Sequence, residues 1–312
     1  MFQENVLLSQ YSSYRIGGPA RYFQEIKTEE DLAAAIKEIR DLKIPFFVLG
    51  GGTNILFSDK GFDGAVLKIS FKDIRLEKEN EIIVGAGVLM ADLLDFALKN
   101  NLSGLEWAGG LPGTVGGAVR GNAGAFAGET KDNVLEVISF EIETGKIYRR
   151  KKEDCRFGYR SSIFKDPPAG GRDGEIIIGA RFLMVKGDKP EIETAIKEKI
   201  NYRQERQPLE YPNSGSVFKN VDLQLIPKEH LEEVEAVIKK DPFPVVPTAF
   251  LISECGLKGM RIGGAMISPK HPNFLINYDK ATAADVKALI ALAKEKVYDK
   301  FGVKLEEEVL IF

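Results

Sequence analysis

Glycine is concentrated in two segments of this chain that also carry small hydroxyl residues. The first reads Leu-Gly-Gly-Gly-Thr-Asn over residues 49–54, and the second reads Gly-Gly-Leu-Pro-Gly-Thr-Val-Gly-Gly-Ala over residues 109–118. Successive backbone N–H groups without side chains in the way form a nest that binds phosphate or diphosphate. No Gly-Lys-Ser/Thr follows, so neither segment is a P-loop. We therefore predict a cradle for a diphosphate and a flat ring, with a plain loop and a glycine-rich packing turn as the alternatives.

Three shorter segments carry side chains suited to acid–base or charge-stabilising chemistry. Arg160 follows an aromatic residue in Phe-Gly-Tyr-Arg-Ser-Ser, and its planar guanidinium suits bidentate binding of a carboxylate or phosphate. Ser216 lies four residues before Asn220 in Ser-Val-Phe-Lys-Asn, although a serine donates protons poorly without a neighbouring charge or water relay. Residues 306–308 are three glutamates in a predicted terminal strand. The alternative for Arg160 is a surface ion pair, and the alternative for the Ser216 segment is a turn. The alternative for the glutamates is an acidic edge that discourages strand pairing.

Composition excludes several classes of protein. The 312 residues include 43 Lys and Arg against 46 Asp and Glu, so a net charge of -3 argues against nucleic acid as a partner. Two cysteines and two histidines exclude a disulfide scaffold and argue against a zinc or His-rich metal site. There is no apolar run of about 18 residues and no signal-peptide pattern, and we expect a cytoplasmic protein without a membrane span.

The elements that must position these residues alternate between helix and strand. Thr28 begins a predicted helix with an apolar face, and a short strand over residues 46–49 leads into the triple glycine. Strands are predicted near residues 81–84, 134–142 and 175–185. A capping box at Thr282 begins a long helix, and residues 305–312 are predicted to close the chain as a strand. The length is at the limit for one hydrophobic core, so two or three domains are expected.

A second glycine pattern, Gly-Ala-Gly at residues 85–87, follows a predicted strand and begins a helix. The Rossmann fingerprint requires a small residue at its third position, where this chain has Met90. A tight strand-to-helix turn explains the pattern as well, and a Rossmann site is disfavoured.

Taken together, the segments resemble the UDP-N-acetylenolpyruvoylglucosamine reductase family over nearly the whole chain. The resemblance begins at Tyr-Arg-Ile-Gly-Gly-Pro (residues 14–19), passes through the blocks above and His-Pro-Asn-Phe-Leu-Ile-Asn (residues 271–277), and ends near Val309. The loop before Ser216 and the short stretch after Arg160 resemble the family branch without an extra tyrosine-bearing loop.

The resemblance implies an α+β fold with a vanillyl-alcohol-oxidase-type FAD-binding domain of two α/β subdomains and a C-terminal α+β substrate-binding domain. We place these at residues 1–70, 71–188 and 189–312. The implied chemistry is reduction of UDP-N-acetylglucosamine enolpyruvate to UDP-N-acetylmuramate in peptidoglycan precursor synthesis. NADPH reduces non-covalently bound FAD, flavin N5 passes hydride to C3, and no metal takes part. A monomer is expected.

The resemblance also implies roles for individual residues. Arg160 stabilises the enolate-like intermediate, Ser216 protonates C2, and Glu308 is the family's glutamate, acting protonated or by orienting a water or Arg160. The implied substrate-binding residues are Tyr159, Lys219, Asn220 and His271. The implied FAD-binding residues are Tyr14, Gly50, Gly51, Gly52, Thr53, Asn54, Gly109, Gly110, Pro112, Gly113, Thr114, Gly116, Gly117, Asn122 and Gly124.

Two departures and two competing interpretations accompany the resemblance. The family usually continues the last strand with an arginine and Ile-Gly, whereas Leu-Ile-Phe follows Val309, and Met266 replaces a commonly polar residue. An FAD oxidase of the same fold, acting on a sugar or alcohol, often attaches its flavin through His or Cys, and the glycine-rich segments contain neither. A non-catalytic nucleotide-sugar binding protein would need neither flavin nor the combination of Arg160, Ser216 and Glu308.

Overall fold

A computed structural model of the chain describes residues 2–165, 174–240 and 243–312. The chain forms two compact units. The first comprises Met1–Val6, Ala20–Gly51 and Asp63–Tyr202, and the second comprises Leu7–Pro19, Gly52–Phe62 and Arg203–Phe312. The expected domain boundaries at residues 70 and 188 stay predictions.

Helices and short strands alternate along the described chain. Its α-helices are α1 (Glu29–Leu42), α2 (Met90–Lys99), α3 (Val115–Arg120), α4 (Thr130–Asn133), α5 (Lys189–Arg206), α6 (Leu231–Val234), α7 (Thr248–Glu254) and α8 (Ala283–Phe301). Its 3-10 helices are Leu8–Tyr11, Glu106–Ala108, Lys152–Cys155, Leu223–Leu225, Lys228–His230 and Glu235–Val237. Its strands are β1 (Gln3–Leu7), β2 (Pro19–Ile26), β3 (Phe46–Leu49), β4 (Ile55–Leu56), β5 (Phe62–Ile69), β6 (Ile74–Lys78), β7 (Glu81–Gly85), β8 (Leu102–Ser103), β9 (Gly124–Ala125), β10 (Gly128–Glu129), β11 (Val134–Glu141), β12 (Ile147–Lys151), β13 (Glu175–Leu183), β14 (Val185–Lys186), β15 (Asn213–Ser216), β16 (Val221–Asp222), β17 (Val245–Val246), β18 (Arg261–Ile262), β19 (Ala265–Ile267), β20 (Phe274–Asn277) and β21 (Leu310–Ile311).

The first unit contains two larger sheets. One has the strand order β1-β2-β5-β3, with β3 parallel to β5, and the other has the order β12-β11-β13-β7-β6, with antiparallel neighbours. Helices α1 and α2 pack apolar faces into the same core, and burying each large aliphatic side chain contributes about 1.5–3 kcal/mol. As the sequence predicts, Thr28 caps α1 by accepting a hydrogen bond from the N–H of Asp31 at 3.1 Å.

The Gly-Ala-Gly pattern at the end of β7 is a packing turn, which agrees with the tight strand-to-helix turn given above as the alternative to a Rossmann site. A Cβ atom on Gly85 would lie 2.3 Å from the carbonyl oxygen of Phe71, and one on Gly87 would lie 2.6 Å from Cα of Ser70. Met90, at the third position of the pattern, is completely buried in the core. The glycines here allow close backbone contact within the protein.

The second unit is built on the sheet β15-β20-β19-β18 and the long helix α8. The capping box at Thr282 and Asp285 begins α8 as predicted, and Gly302 in the left-handed conformation (φ 66°) ends it. The apolar face of α8, which includes Val286 and Leu289, is buried in the core of this unit.

The predicted terminal strand over residues 305–312 is wrong for most of its length, because only Leu310–Ile311 forms a strand. The chain changes its partner halfway along. The N–H of Glu308 donates to the carbonyl of Val217 at 2.8 Å, whereas the N–H of Leu310 donates to the carbonyl of Asn54 at 3.1 Å. A continuous ladder cannot form across this change.

None of the helices in the described part of the chain is both long enough and apolar enough to cross a bilayer.

Candidate active site

The two glycine-rich segments come together in the first unit. A Cβ atom on Gly51 would lie 2.8 Å from Cα of Gly113, and one on Gly50 would lie 2.8 Å from Oγ1 of Thr114. Gly113 has a φ of 104°, which side chains rarely adopt. Only glycines allow the two backbones to approach this closely, and the contact supports the predicted cradle.

A cavity of about 660 Å³ opens beside this contact. Its lining includes Gly50, Thr114, Gly116 and Gly117 from the predicted cofactor residues, together with apolar side chains such as Val48. The combination of glycine backbone and apolar wall suits an elongated ligand with a diphosphate and a planar ring.

Several positively charged residues near the cradle were not among the site residues predicted from the sequence. Arg120 and Lys165 line the cavity, and the Nζ atom of Lys68 donates to the carbonyl of Gly50 at 2.8 Å. Burial lowers the pKa of Lys68. A signal existed for Lys68, because it is the single charged residue in the apolar run 65–69.

Another part of the cavity lining carries an ion pair, whose members are Arg150 and Glu175. The Nε atom of Arg150 donates to Glu175 Oε2 at 2.7 Å, and the hydroxyl of Ser139 donates to the same oxygen at 2.5 Å. Burial opposes ionisation of Glu175, but these hydrogen bonds outweigh it and leave the pKa of the carboxyl lowered. This pair could not be predicted from the sequence, because its members are 25 residues apart.

The buried hydroxyl of Thr114 shows whether the residues of the cradle fit FAD. Thr114 is 2 % exposed, and its Oγ1 atom has no hydrogen-bond partner within residues 2–165, 174–240 and 243–312. A buried hydroxyl without a partner costs about 1–3 kcal/mol. A ligand oxygen in the cradle would satisfy it, so the residues present fit a bound FAD diphosphate.

Replacing Thr114 by valine is expected to raise the FAD dissociation constant of the apoprotein about tenfold, equivalent to about 1.4 kcal/mol. The apoprotein should lose no stability, because the hydroxyl has no partner among the residues that the structure describes. Isothermal titration with FAD and thermal unfolding measure both quantities.

Thr130→Val is the matched control, because the buried hydroxyl of Thr130 already donates to the carbonyl of Ala123 at 2.8 Å. This control should destabilise the protein and leave FAD affinity unchanged. A Thr114→Val protein that is destabilised but binds FAD normally would contradict the assignment.

Three further residues predicted to bind the cofactor, Gly109, Gly110 and Pro112, belong to the first unit. Gly109 packs against α5, where a Cβ atom would lie 2.7 Å from the carbonyl oxygen of Ile196, and Gly110 has a φ of 71°. Pro112 lies between these glycines and Gly113. The roles of these three residues toward FAD stay predictions.

Arg160 lies in a tight turn of the first unit, formed by residues 158–161. Its Nη2 atom donates to the carbonyl of Gly124 at 2.7 Å, and its guanidinium lies 5.0 Å from the ring centroid of Tyr159. Two residues predicted from the resemblance, Gly124 and Tyr159, therefore contact the predicted catalytic arginine.

In the second unit, Ser216 and Glu308 lie on neighbouring backbone segments. Ser216 is half-buried at the end of β15, opposite Phe274, and the N–H of Glu308 donates to the carbonyl of Val217 at 2.8 Å. The two residues are 92 positions apart in the sequence, and the backbone hydrogen bond between their segments brings them together.

Two predicted substrate residues of the second unit, Lys219 and Asn220, follow Ser216 on the same segment. Lys219 forms an ion pair with Glu306, which accounts for one of the three terminal glutamates, and Glu307 pairs with Lys294 at 2.6 Å. The Oδ1 atom of Asn220 accepts from the N–H of Thr248 at 3.3 Å.

His271 packs edge-on against Phe274, the strand partner of Ser216, with ring centroids 4.7 Å apart. Burial lowers the pKa of His271 from 6.5 to about 4. Its Nδ1 atom is buried without a hydrogen-bond partner in the described part of the chain. The imidazole is therefore neutral at neutral pH and retains an unused polar atom.

The low pKa of His271 predicts acid sensitivity. Between pH 6.5 and 4 the unfolded chain binds a proton at this residue and the folded chain does not, so the free energy of unfolding falls as the pH drops. We expect a loss of about 2 kcal/mol between pH 7 and 5, measured by urea denaturation. His271→Gln should lose that part of the slope, and an unchanged slope would contradict the assignment.

Four predicted cofactor residues belong to the second unit. Gly52 has a φ of 66°, and a Cβ atom there would lie 1.8 Å from the carbonyl oxygen of Tyr11. The Nδ2 atom of Asn54 donates to the carbonyl of Glu308 at 3.0 Å. Tyr14 is completely buried, its hydroxyl has no partner among the described residues, and burial raises its pKa. These contacts leave the cofactor roles of the three residues, and that of Thr53, as predictions.

No group of three or more histidine, cysteine, aspartate or glutamate side chains with metal-binding geometry occurs in the described residues.

Comparisons with known proteins identify the family of this chain. A family model described as "FAD binding domain" matches residues 20–150, and one described as "UDP-N-acetylenolpyruvoylglucosamine reductase, C-terminal domain" matches residues 207–312. The chain is 36% identical to the UDP-N-acetylenolpyruvoylglucosamine reductase of Clostridium novyi, over 99% of this chain and 91% of that protein. It is 38% identical to the reductase of the same name from Prochlorococcus marinus, over 98% of this chain and 96% of that protein.

A solved structure is also similar over its full length. The crystal structure of UDP-N-acetylenolpyruvylglucosamine reductase from Thermus caldophilus matches with a TM-score of 0.77 and 31% identity, covering 100% of both chains. The family models and these relatives define the class as an α+β FAD-dependent oxidoreductase with a vanillyl-alcohol-oxidase-type FAD-binding domain, as the sequence predicted. The chain belongs to the UDP-N-acetylenolpyruvoylglucosamine reductase family.

Proposed function

We propose that this protein uses NADPH and bound FAD to reduce UDP-N-acetylglucosamine enolpyruvate to UDP-N-acetylmuramate. The observation that carries the proposal is membership of the reductase family across 99% of the chain, including the reductase-specific C-terminal domain. The glycine-lined cavity of about 660 Å³, with the unpaired hydroxyl of Thr114 among its described lining, supports the cofactor.

The residues that hold FAD are proposed to be the cavity-lining members of the glycine cradle, namely Gly50, Thr114, Gly116 and Gly117. Bound FAD, reduced by NADPH, supplies the hydride for C3 of the enolpyruvyl group. Arg120 and Lys165, which line the same cavity, offset the negative charge of the diphosphate.

Arg160 is proposed to stabilise the negative charge that develops at C2 and in the adjacent carboxylate. Its guanidinium is planar and permanently charged, and preorganised positive charge of this kind lowers the barrier. Ser216 then donates its hydroxyl proton to C2. Glu308, whose backbone lies beside the residue after Ser216, completes the proposed catalytic set, either protonated or by orienting a water or Arg160.

Tyr159, Lys219, Asn220 and His271 are proposed to bind the UDP-sugar. A neutral imidazole and a lysine suit recognition of a nucleotide diphosphate and sugar hydroxyls. Since UDP-sugars and NADPH are cytoplasmic metabolites, we place the reaction in the cytoplasm, as a step of peptidoglycan precursor synthesis that serves cell wall formation. A monomer is proposed.

An absorption spectrum tests the proposed function. The purified protein should be yellow, NADPH should bleach the flavin band, and the UDP-enolpyruvyl sugar should restore it under anaerobic conditions. A colourless protein that takes up no added FAD would overturn the proposal. Rapid reoxidation by oxygen, without any response to the sugar, would instead indicate an oxidase.

A further inference from the structure

The turn that carries Arg160 has a strained backbone. The N–H of Gly158 donates to the carbonyl of Ser161 at 3.1 Å, and the N–H of Ser161 donates back at 3.3 Å. Between them Arg160 has a φ of 55°, a left-handed conformation that non-glycine residues rarely adopt. Such a conformation persists only where the surroundings hold it in place.

Asn122 holds this turn from outside. Its side chain is completely buried, and its Nδ2 atom donates to the carbonyl of Gly158 at 2.9 Å. Its Oδ1 atom accepts from the N–H of Lys131 at 3.0 Å. Both polar atoms of the amide therefore already have protein partners.

Two further hydrogen bonds hold the remainder of the turn. The Nζ atom of Lys165, which lines the cavity, donates to the carbonyl of Arg160 at 2.8 Å. The hydroxyl of Ser162 donates to the carbonyl of Arg120 at 2.6 Å, which ties the turn to α3. With its backbone held in this way, the guanidinium of Arg160 reaches the carbonyl of Gly124 at 2.7 Å.

We infer that Asn122, expected from the resemblance to bind FAD, is instead a positioning residue that acts through Arg160. Its buried amide holds the turn of residues 158–161 in the conformation that directs the guanidinium, while its other polar atom fixes the amide against α4. The inference rests on the proposed function, in which Arg160 stabilises charge on the substrate.

The test is Asn122→Asp. Aspartate has the same shape, tolerates the left-handed backbone at this position (φ 42°), and still accepts from the N–H of Lys131. It cannot donate to the carbonyl of Gly158. FAD affinity and flavin reduction by NADPH should stay within about twofold of wild type, while reoxidation by the UDP-enolpyruvyl sugar slows about 10- to 100-fold.

Asn133→Asp is the matched control, since Asn133 is also a buried asparagine of the first unit and donates to the carbonyl of Leu183 at 3.1 Å. It should leave both half-reactions unchanged. In an Arg160→Lys background, Asn122→Asp should add little further loss, because both changes act through one side chain. Should the aspartate variant not fold, Asn122→Ser is expected to give the same selective loss.

Four results would overturn the inference. Weaker FAD binding with normal reoxidation would make Asn122 a cofactor ligand, and equal losses in both half-reactions would make its role purely structural. If the rate losses of Asn122→Asp and Arg160→Lys add fully in the double variant, Asn122 does not act through Arg160. A wild-type protein that NADPH reduces and the sugar does not reoxidise would overturn the proposed function itself, and with it this role.

Discussion

Ser216→Ala is expected to leave flavin reduction by NADPH fast and to slow reoxidation by the UDP-enolpyruvyl sugar by about two to three orders of magnitude. The second half-reaction requires a proton at C2, and a positioned general acid contributes about 10²- to 10⁴-fold. The first half-reaction transfers no proton from this residue. Stopped-flow absorbance at the flavin band measures the two half-reactions separately.

The chain offers a closely matched control for this change. Ser214 lies two residues earlier in β15, and its buried hydroxyl donates to the carbonyl of Ile55 at 3.1 Å. Ser214→Ala should therefore lower stability by about 1 kcal/mol and leave the ratio of the two half-reactions unchanged. If Ser216→Ala slows both half-reactions equally, Ser216 is not the proton donor.

Arg160→Lys is expected to slow the same half-reaction by about 10²-fold, and Arg160→Gln by about 10³-fold, with flavin reduction by NADPH unaffected. Lysine retains the charge but loses the planar fork that makes bidentate hydrogen bonds, whereas glutamine loses both. Removing one preorganised stabilising group typically costs about 10²- to 10³-fold in rate. Product formation under single-turnover conditions measures the effect.

Arg149→Lys provides the comparison, because Arg149 forms an exposed ion pair with Glu136 at 2.8 Å in the same unit. An exposed pair contributes about 0–1 kcal/mol, so this variant should behave as wild type. Equal rates for Arg160→Lys and wild type would contradict a charge-stabilising role that depends on geometry. A weakened affinity for FAD in the Arg160 variants would point to a cofactor role instead.

Local elements were predictable because their signals lie within one turn or one strand. Thr28 and Thr282 cap helices by hydrogen bonds to N–H groups three residues away, and both appear where the sequence places them. The strand predicted over residues 305–312 was wrong for the opposite reason. Their strand character depended on partners at Val217 and Asn54, and the chain exchanges one for the other within two residues.

The role proposed for Asn122 depends on a contact that motif matching does not reveal. The motif places this residue in the glycine-rich stretch, and a cofactor role follows naturally from that position. Its buried amide donates to the carbonyl of Gly158, 36 residues further along the chain, in the turn that carries Arg160. Hydrogen bonds over such separations leave no local pattern, so spacing could not reveal them.

The sequence by itself determined the family, the cofactor class and the residue types available for chemistry, because the blocks that carry them are contiguous and their order is specific. Tertiary structure alone decided that Gly51 lies against Gly113, that Lys68 binds the carbonyl of Gly50, and that Glu308 lies beside the residue after Ser216. Each of these contacts depends on packing between segments far apart in the chain. Their energies come from burial and close backbone approach, which no local propensity encodes.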